Sequence, residues 1–167
     1  ERMKIVCATN MPYVEEAFRT LGEPRVLEGR RIGPADVKEA VILALRSTTV
    51  VNQALLDGSR VRFVGTATIG TDHMDVAYLE RAGIRWCFAP GCNANSVGQY
   101  FTGALLELAA AYGFRLRGTK LGIVGVGNVG SGVLKKASAM GMECVLNDPP
   151  LQRTTGDAKY RPIDEIF

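Results

Sequence analysis

The 167-residue sequence predicts a parallel α/β architecture, a doubly wound sheet followed by the beginning of a second βαβ system. Three observations point that way. Short β-branched runs alternate with helical patterns along the chain, the arrangement that builds parallel sheets. The run Val41-Ile42-Leu43-Ala44-Leu45 is apolar at every position, as a strand buried on both faces must be. A glycine-rich turn, Gly125 to Gly130, sits directly between a strand pattern and a helix pattern.

The elements follow in order. Lys4 to Ala8 reads as a strand, and the helix after it takes its start signals from Asn10 and Pro12 and its stop from Gly22. Arg25-Val26-Leu27 is a short strand, Pro34 opens a short helix around Val37 and Ala40, and Val41 to Leu45 is the buried central strand. Asn52 starts a helix closed at Gly58. Val61 to Val64 is a strand, Asp75 to Ala82 a helix closed at Gly83, and Ile84 to Phe88 a fifth strand. From Asn95 to Tyr112 the residues Phe101, Leu105, Leu108, Ala109 and Tyr112 share one helical face, which reads as core rather than as a ligand site. Lys120 to Val124 is then a strand, Val129 to Met140 a helix stopped by Gly141, and Glu143 to Asn147 a strand. Pro162 to Phe167 resembles the first turn and a half of a helix. A dinucleotide fold needs two βαβαβ halves, so only the first is expected within these residues.

Composition is that of a globular chain, with 47% hydrophobic and 22% charged residues. The net charge of +3 is spread along the chain without a long basic run, which favours small anionic ligands over nucleic acid. No apolar stretch approaches the ~20 residues of a membrane span or a secretory leader, so the expected location is cytoplasmic. Cys7, Cys87, Cys92 and Cys144 include no CxxC pair, and one histidine cannot complete a metal set; neither a zinc site nor a disulfide framework is expected. Glu1-Arg2, ahead of Met3, is set aside from the fold argument.

The glycine turn Gly125-Val126-Gly127-Asn128-Val129-Gly130 carries the sharpest chemistry. The first glycine permits a tight turn, the second lets backbone approach a pyrophosphate, and the third lets helix and strand pack closely, with phosphates at the positive helix terminus. Eighteen residues beyond Gly130, Asp148 ends the next strand, where a carboxylate accepts ribose hydroxyls. The bland alternative is a cluster of turn glycines with a capping aspartate. A second loop, Gly65-Thr66-Ala67-Thr68-Ile69-Gly70-Thr71-Asp72-His73, lies at the carboxyl end of a strand, where such sheets bind ligands. Its N–H groups can cradle a carboxylate, with the Thr68 hydroxyl as an added donor; alternatively Thr71 or Asp72 only caps a helix. Arg46-Ser47-Thr48-Thr49 ends the buried strand and suits a phosphate or carboxylate, although a solvated arginine there is equally ordinary. His73, without an orienting carboxylate, reads as a surface or supporting residue and not as a general acid.

Together these residues resemble the D-isomer-specific 2-hydroxyacid dehydrogenases. The resemblance runs through Asn10-Met11-Pro12-Tyr13, Leu45-Arg46-Ser47, Phe63 to Thr68 with Gly70 to His73, Ala89 to Ala94, Gly122 to Gly130 and Asp148-Pro149-Pro150. It implies a flavodoxin-like substrate domain over 1–94, a connecting helix over 95–113, and the first part of a Rossmann NAD-binding domain over 114–167. It further implies oxidation of the 2-hydroxyl of a phosphorylated acid, 4-phosphoerythronate, by hydride transfer to NAD in pyridoxal phosphate synthesis, by a homodimer. Arg46, Ser47 and Thr68 would hold the substrate, and Gly125, Gly127, Asn128, Val129, Gly130 and Asp148 the cofactor. The family's catalytic arginine, glutamate and histidine match no residue here and are expected beyond Phe167, so this stretch alone is expected to be inactive. Gln99 stands where relatives carry a glutamate. NAD is expected over NADP because Asp148 would repel a 2′-phosphate, Arg153 being the nearest following cation. Two rival readings remain: a non-catalytic NAD sensor on the same fold, and a methyltransferase, for which the Gly65-to-His73 loop has no use.

Overall fold

The computed structural model describes residues 2–166. The chain divides into two compact units, Glu1–Pro90 and Gly91–Phe167. In the first, the strands β1 (Met3–Ala8), β2 (Gly22–Leu27), β3 (Ile42–Leu45), β4 (Phe63–Thr66) and β5 (Arg85–Cys87) form one sheet in the order β2-β1-β3-β4-β5. Every pairing is parallel. This is the flavodoxin-like doubly wound order, and its topological switch point lies between β1 and β3. The connecting helices are α1 (Val14–Arg19), α2 (Pro34–Val37), α3 (Gln53–Leu56) and α4 (Val76–Arg81).

Burial follows the pleat. On β1, Val6 and Ala8 join Leu43, Leu45, Val64 and Leu79 in one core, while Ile5 and Cys7 join Ala44, Met11 and Val14 on the opposite face. Strand β3 therefore contributes to both layers, as its unbroken apolar run predicts. The helix signals hold where a side chain caps: Asn52 Oδ1 accepts from Leu55 N at 3.1 Å and Asp75 Oδ1 from Tyr78 N at 2.9 Å. Asp75, and neither Thr71 nor Asp72, is thus the cap of α4.

Three expectations change in this unit. Helix α1 starts only after Tyr13, a non-glycine residue at φ 56°, and neither Asn10 nor Pro12 caps it. Gly22 is the first residue of β2 instead of a helix stop. A Cβ there would lie 2.1 Å from the Met3 carbonyl oxygen, so the glycine is required by close strand approach. Strand β4 runs two residues later than Val61 to Val64 because its ladder to β3 extends to Leu45↔Thr66.

The second unit holds α5 (Ala94–Tyr112), β6 (Lys120–Val124), α6 (Asn128–Ala139), β7 (Glu143–Asn147) and α7 (Pro149–Thr155). β6 and β7 pair in parallel, and Tyr160 bridges Leu146 to begin a third parallel position. Helix α7 is absent from the sequence expectation, although Asp148 before Pro149-Pro150 is a cap followed by proline at the first helical position. The segment at Pro162 forms a 3-10 turn over Ile163–Glu165 and not an α-helical start; Phe167 lies outside the described residues. The stripe on α5 is also corrected. Gly98 is the only buried residue of that helix among those described, and Leu108 and Tyr112 are exposed. No described helix is long and apolar enough to cross a membrane.

Cys7 is fully buried, and burial pushes its thiol up to about 11, whereas Cys87 and Cys92 are exposed. A thiol reagent should label Cys87 and Cys92 of the native protein quickly and Cys7 only as it unfolds. Peptide mapping that finds Cys7 labelled at the same rate would contradict this packing.

Candidate functional site

The glycine turn is built as its spacing predicts. Gly125 sits at φ +84°, a conformation that costs other L-residues but not glycine. A Cβ on Gly130 would lie 1.9 Å from the Gly125 carbonyl oxygen, so the third glycine is fixed by packing of α6 on its own turn. At Gly127 a Cβ would meet nothing within 4 Å; the second glycine faces open space. Gly127 also precedes α6 without a side-chain cap. The N–H groups of Asn128, Val129 and Gly130 consequently have no acceptor among the described residues, at the positive end of a 12-residue helix. Asn128 packs towards Gly91, itself at φ +75°, where a Cβ would be 3.1 Å from the Asn128 side chain.

Asp148 does more than end β7. Its Oδ2 accepts from Val126 N at 2.7 Å, across the glycine turn, and its Oδ1 accepts from Leu151 N at 2.9 Å as the cap of α7. These two backbone donors, Leu151 first, hold its carboxyl below the ordinary carboxylate value of 3.8. About four acceptor sites exist on a carboxylate, so roughly two remain for a ligand. Neighbouring Asn147 completes the arrangement: its carbonyl accepts from Gly125 N at 2.8 Å and its Nδ2 donates to the Arg161 carbonyl at 2.8 Å.

In the first unit the carboxyl ends of β1, β3 and β4 carry the other candidates. Arg46 donates from Nη1 to the Asn10 carbonyl at 3.2 Å, and Asn10 Nδ2 lies 3.4 Å from Thr48 Oγ1. Arg46 is thereby docked at the switch point with most of its donors free. Ser47 is exposed and makes no hydrogen bond among the described residues. Thr68 belongs to a different set: its Oγ1 is 2.7 Å from Thr66 Oγ1 and donates to the Gly70 carbonyl at 2.8 Å, while Thr66 Oγ1 is 2.9 Å from His73 Nε2. No hydrogen bond links Arg46 or Ser47 to Thr68. The expected free Thr68 donor is corrected too, because its proton is already committed to Gly70. The N–H groups of Thr68, Ile69 and Gly70 nevertheless have no acceptor among the described residues.

Sequence reasoning missed Asn10 as the seat of Arg46, and Thr66 as the link between Thr68 and His73. The available signal for the second was Thr66-Ala67-Thr68, whose alternate residues leave a strand on one face. Burial pushes the His73 ring below its ordinary value of 6.5, with the charge of neighbouring Asp72 opposing. The unfolded chain therefore takes up this proton at higher pH than the folded one. The resulting stability is complete above pH 6.5 and is lost as pH falls through the folded value. Denaturant titrations between pH 7 and pH 5 should show wild type losing stability that His73→Gln keeps; parallel losses would contradict the assignment.

Comparison with known proteins bears on what these features belong to. The D-isomer specific 2-hydroxyacid dehydrogenase catalytic-domain model matches residues 6–148. An erythronate-4-phosphate dehydrogenase of Shewanella loihica is 47% identical over 99% of this chain and 44% of its own length. One of Chromohalobacter salexigens is 48% identical over 99% of this chain and 43% of its own length. The chain thus spans less than half the length of these curated relatives. The NAD-bound 3-phosphoglycerate dehydrogenase of Entamoeba histolytica superposes with a TM-score of 0.74 at 25% identity, over 100% of this chain and 60% of that one. The sheet order, the glycine turn and a family match spanning most of the sequence make this chain a member of the D-isomer-specific 2-hydroxyacid dehydrogenases.

Proposed function

We propose that this chain is the substrate-binding and dinucleotide-binding part of an NAD-dependent dehydrogenase that oxidises the 2-hydroxyl of 4-phosphoerythronate. The observation that carries the cofactor half is the open space over Gly127 at the uncapped N-terminus of α6, beside the Asp148 carboxylate. Unshared N–H groups at a helix terminus suit a pyrophosphate, and a carboxylate with spare acceptor sites suits ribose hydroxyls. Bound there, the nicotinamide would supply the acceptor for the hydride that leaves C2 of the substrate.

On the substrate side, the free N–H groups of Thr68, Ile69 and Gly70 provide a carboxylate cradle. Thr68 Oγ1, whose proton goes to Gly70, is left to accept from a substrate hydroxyl. Arg46 supplies fixed positive charge and Ser47 an uncommitted hydroxyl. A phosphorylated hydroxy acid carries the two anionic ends that such donors accommodate. The family's acid/base histidine with its glutamate, and the arginine that polarises the forming carbonyl, have no counterpart among these residues. We assign that part of the chemistry to the remaining length of the relatives, and to this chain the binding and orientation of both ligands. Pyridoxal phosphate synthesis as the setting, and a homodimer as the assembly, rest on the resemblance to the named relatives.

Calorimetric titration of the full-length protein tests the assignment. NAD should bind at least tenfold more tightly than NADP, since Asp148 places a negative charge where the 2′-phosphate would lie. Ser47→Ala should weaken 4-phosphoerythronate while leaving NAD affinity unchanged. Equal affinities for NAD and NADP, or equal losses of both ligands in Ser47→Ala, would refute the reading.

A further inference from the structure

The hydroxyl contacts around His73 allow only one direction of proton donation. Thr68 has a single hydroxyl hydrogen, and it points to the Gly70 carbonyl, an acceptor that can give nothing back. At the 2.7 Å contact with Thr66 the Thr68 oxygen must therefore accept. Thr66 in turn spends its only hydrogen on Thr68, so at 2.9 Å it accepts from His73 Nε2. The ring must carry its proton on Nε2, and the order is His73 to Thr66 to Thr68 to Gly70.

Both ends of this relay are anchored in the fold. The His73 carbonyl accepts from Val51 N at 2.8 Å, and Val51 is fully buried. The Thr68 carbonyl accepts from Ala89 N at 2.9 Å, tying the loop to the end of β5. Thr66, at the end of β4, is buried. The relay terminates on the carbonyl of Gly70, and so bridges the turn containing the unshared N–H groups of Thr68, Ile69 and Gly70. The Gly70 carbonyl belongs to the peptide plane that closes the turn, and the Thr68 carbonyl, held by Ala89 N, to the plane that carries Ile69 N–H; pinned at both ends, the short turn has little freedom left in where its N–H groups point.

We infer that His73 is a positioning residue: by donating from Nε2 through the Thr66 and Thr68 hydroxyls to Gly70, it presets the turn whose N–H groups hold the substrate carboxylate. This rests on the carboxylate reading of that turn given above. His73 touches neither substrate nor hydride path in this role. Glutamine can replace it, because its side-chain N–H₂ donates from nearly the same reach, whereas leucine cannot. At Thr66, serine keeps the relay and valine breaks it at constant shape.

Steady-state kinetics of the full-length protein should separate the variants. In His73→Leu and Thr66→Val, KM for 4-phosphoerythronate should rise roughly tenfold, the scale of a lost preorganising hydrogen bond, with kcat and KM for NAD little changed. His73→Gln and Thr66→Ser should stay near wild type. Unchanged KM in His73→Leu, or a fall in kcat with NAD binding also lost, overturns the inference. Because the chain has one histidine, ring ¹⁵N spectra of the 167-residue chain give a readout that needs no variant. A proton on Nε2 supports the relay, and one on Nδ1 overturns it. Amide shifts on titration with D-glycerate, a plain 2-hydroxy acid, distinguish the two claims. If Ile69 and Gly70 respond to glycerate and the response weakens in His73→Leu, while the full-length protein does not turn over 4-phosphoerythronate, the substrate assignment fails and the positioning role stands. Silence at both amides with either acid overturns the positioning role.

Discussion

The Asp148 carboxylate stands where β7, the glycine turn and α7 come together, and the local structure of the second unit depends on it. One oxygen holds Val126 N at 2.7 Å and so fixes the turn; the other caps α7 through Leu151 N. A charge with two backbone donors is held in its ionised form, and in that form it retains acceptor capacity for a ligand. The residue that shapes the glycine turn is therefore also the one that, in the proposed reading, would meet the ribose. Mutational losses at Asp148 will mix the two effects, which is why the discrimination of NAD from NADP in the unmodified protein is the cleaner observation.

The first unit solves a comparable problem with backbone instead of charge. A parallel sheet sends all its strand ends to one edge, and the β2-β1-β3-β4-β5 order separates the loops after β1 and β3 at that edge. Arg46 is seated there on the Asn10 carbonyl, and the turn after β4 is held by the hydroxyl relay from His73. In both units unshared N–H groups remain free, joined by the Arg46 guanidinium and the Ser47 hydroxyl in the first and by the spare acceptor sites of Asp148 in the second, while Asn10, Thr66, Thr68 and Asp148 each hold a loop or turn in place. That division of labour is what preorganisation requires.

Much of this was legible in the sequence, and the reasons for the remainder are physical. β6 and β7 fall at the predicted residues because each short apolar run meets a sharp stop, Gly125 at φ +84° after β6 and Asp148-Pro149 after β7. The roles of Gly125 and Gly130 were legible because each answers a steric demand within the chain, a positive φ and a close approach to the Gly125 carbonyl, whereas at Gly127 a Cβ meets nothing and the pyrophosphate role belongs to the proposal. Gly22 misled because a glycine at a boundary serves a helix stop and a close strand approach equally well, and only the Met3 carbonyl decides between them. Helix α7 escaped because seven residues hold too little periodicity to register, and the capping aspartate weighed as the bland alternative at Asp148 was not joined to Pro149-Pro150 as a helix start. The α5 stripe shows that apolar spacing identifies a face without telling what covers it. Proton direction in the Thr66, Thr68 and His73 set depends on distances across loops, which no spacing rule contains.

The most direct measurement is a crystal structure of the full-length protein with NAD and 4-phosphoerythronate bound. The account predicts pyrophosphate oxygens on the N–H groups of Asn128 and Val129, ribose hydroxyls on an Asp148 that still holds Val126, and the substrate carboxylate on the turn from Thr68 to Gly70. A dinucleotide bound away from the glycine turn, or an Asp148 that caps α7 and turns no oxygen to the ribose, would contradict it.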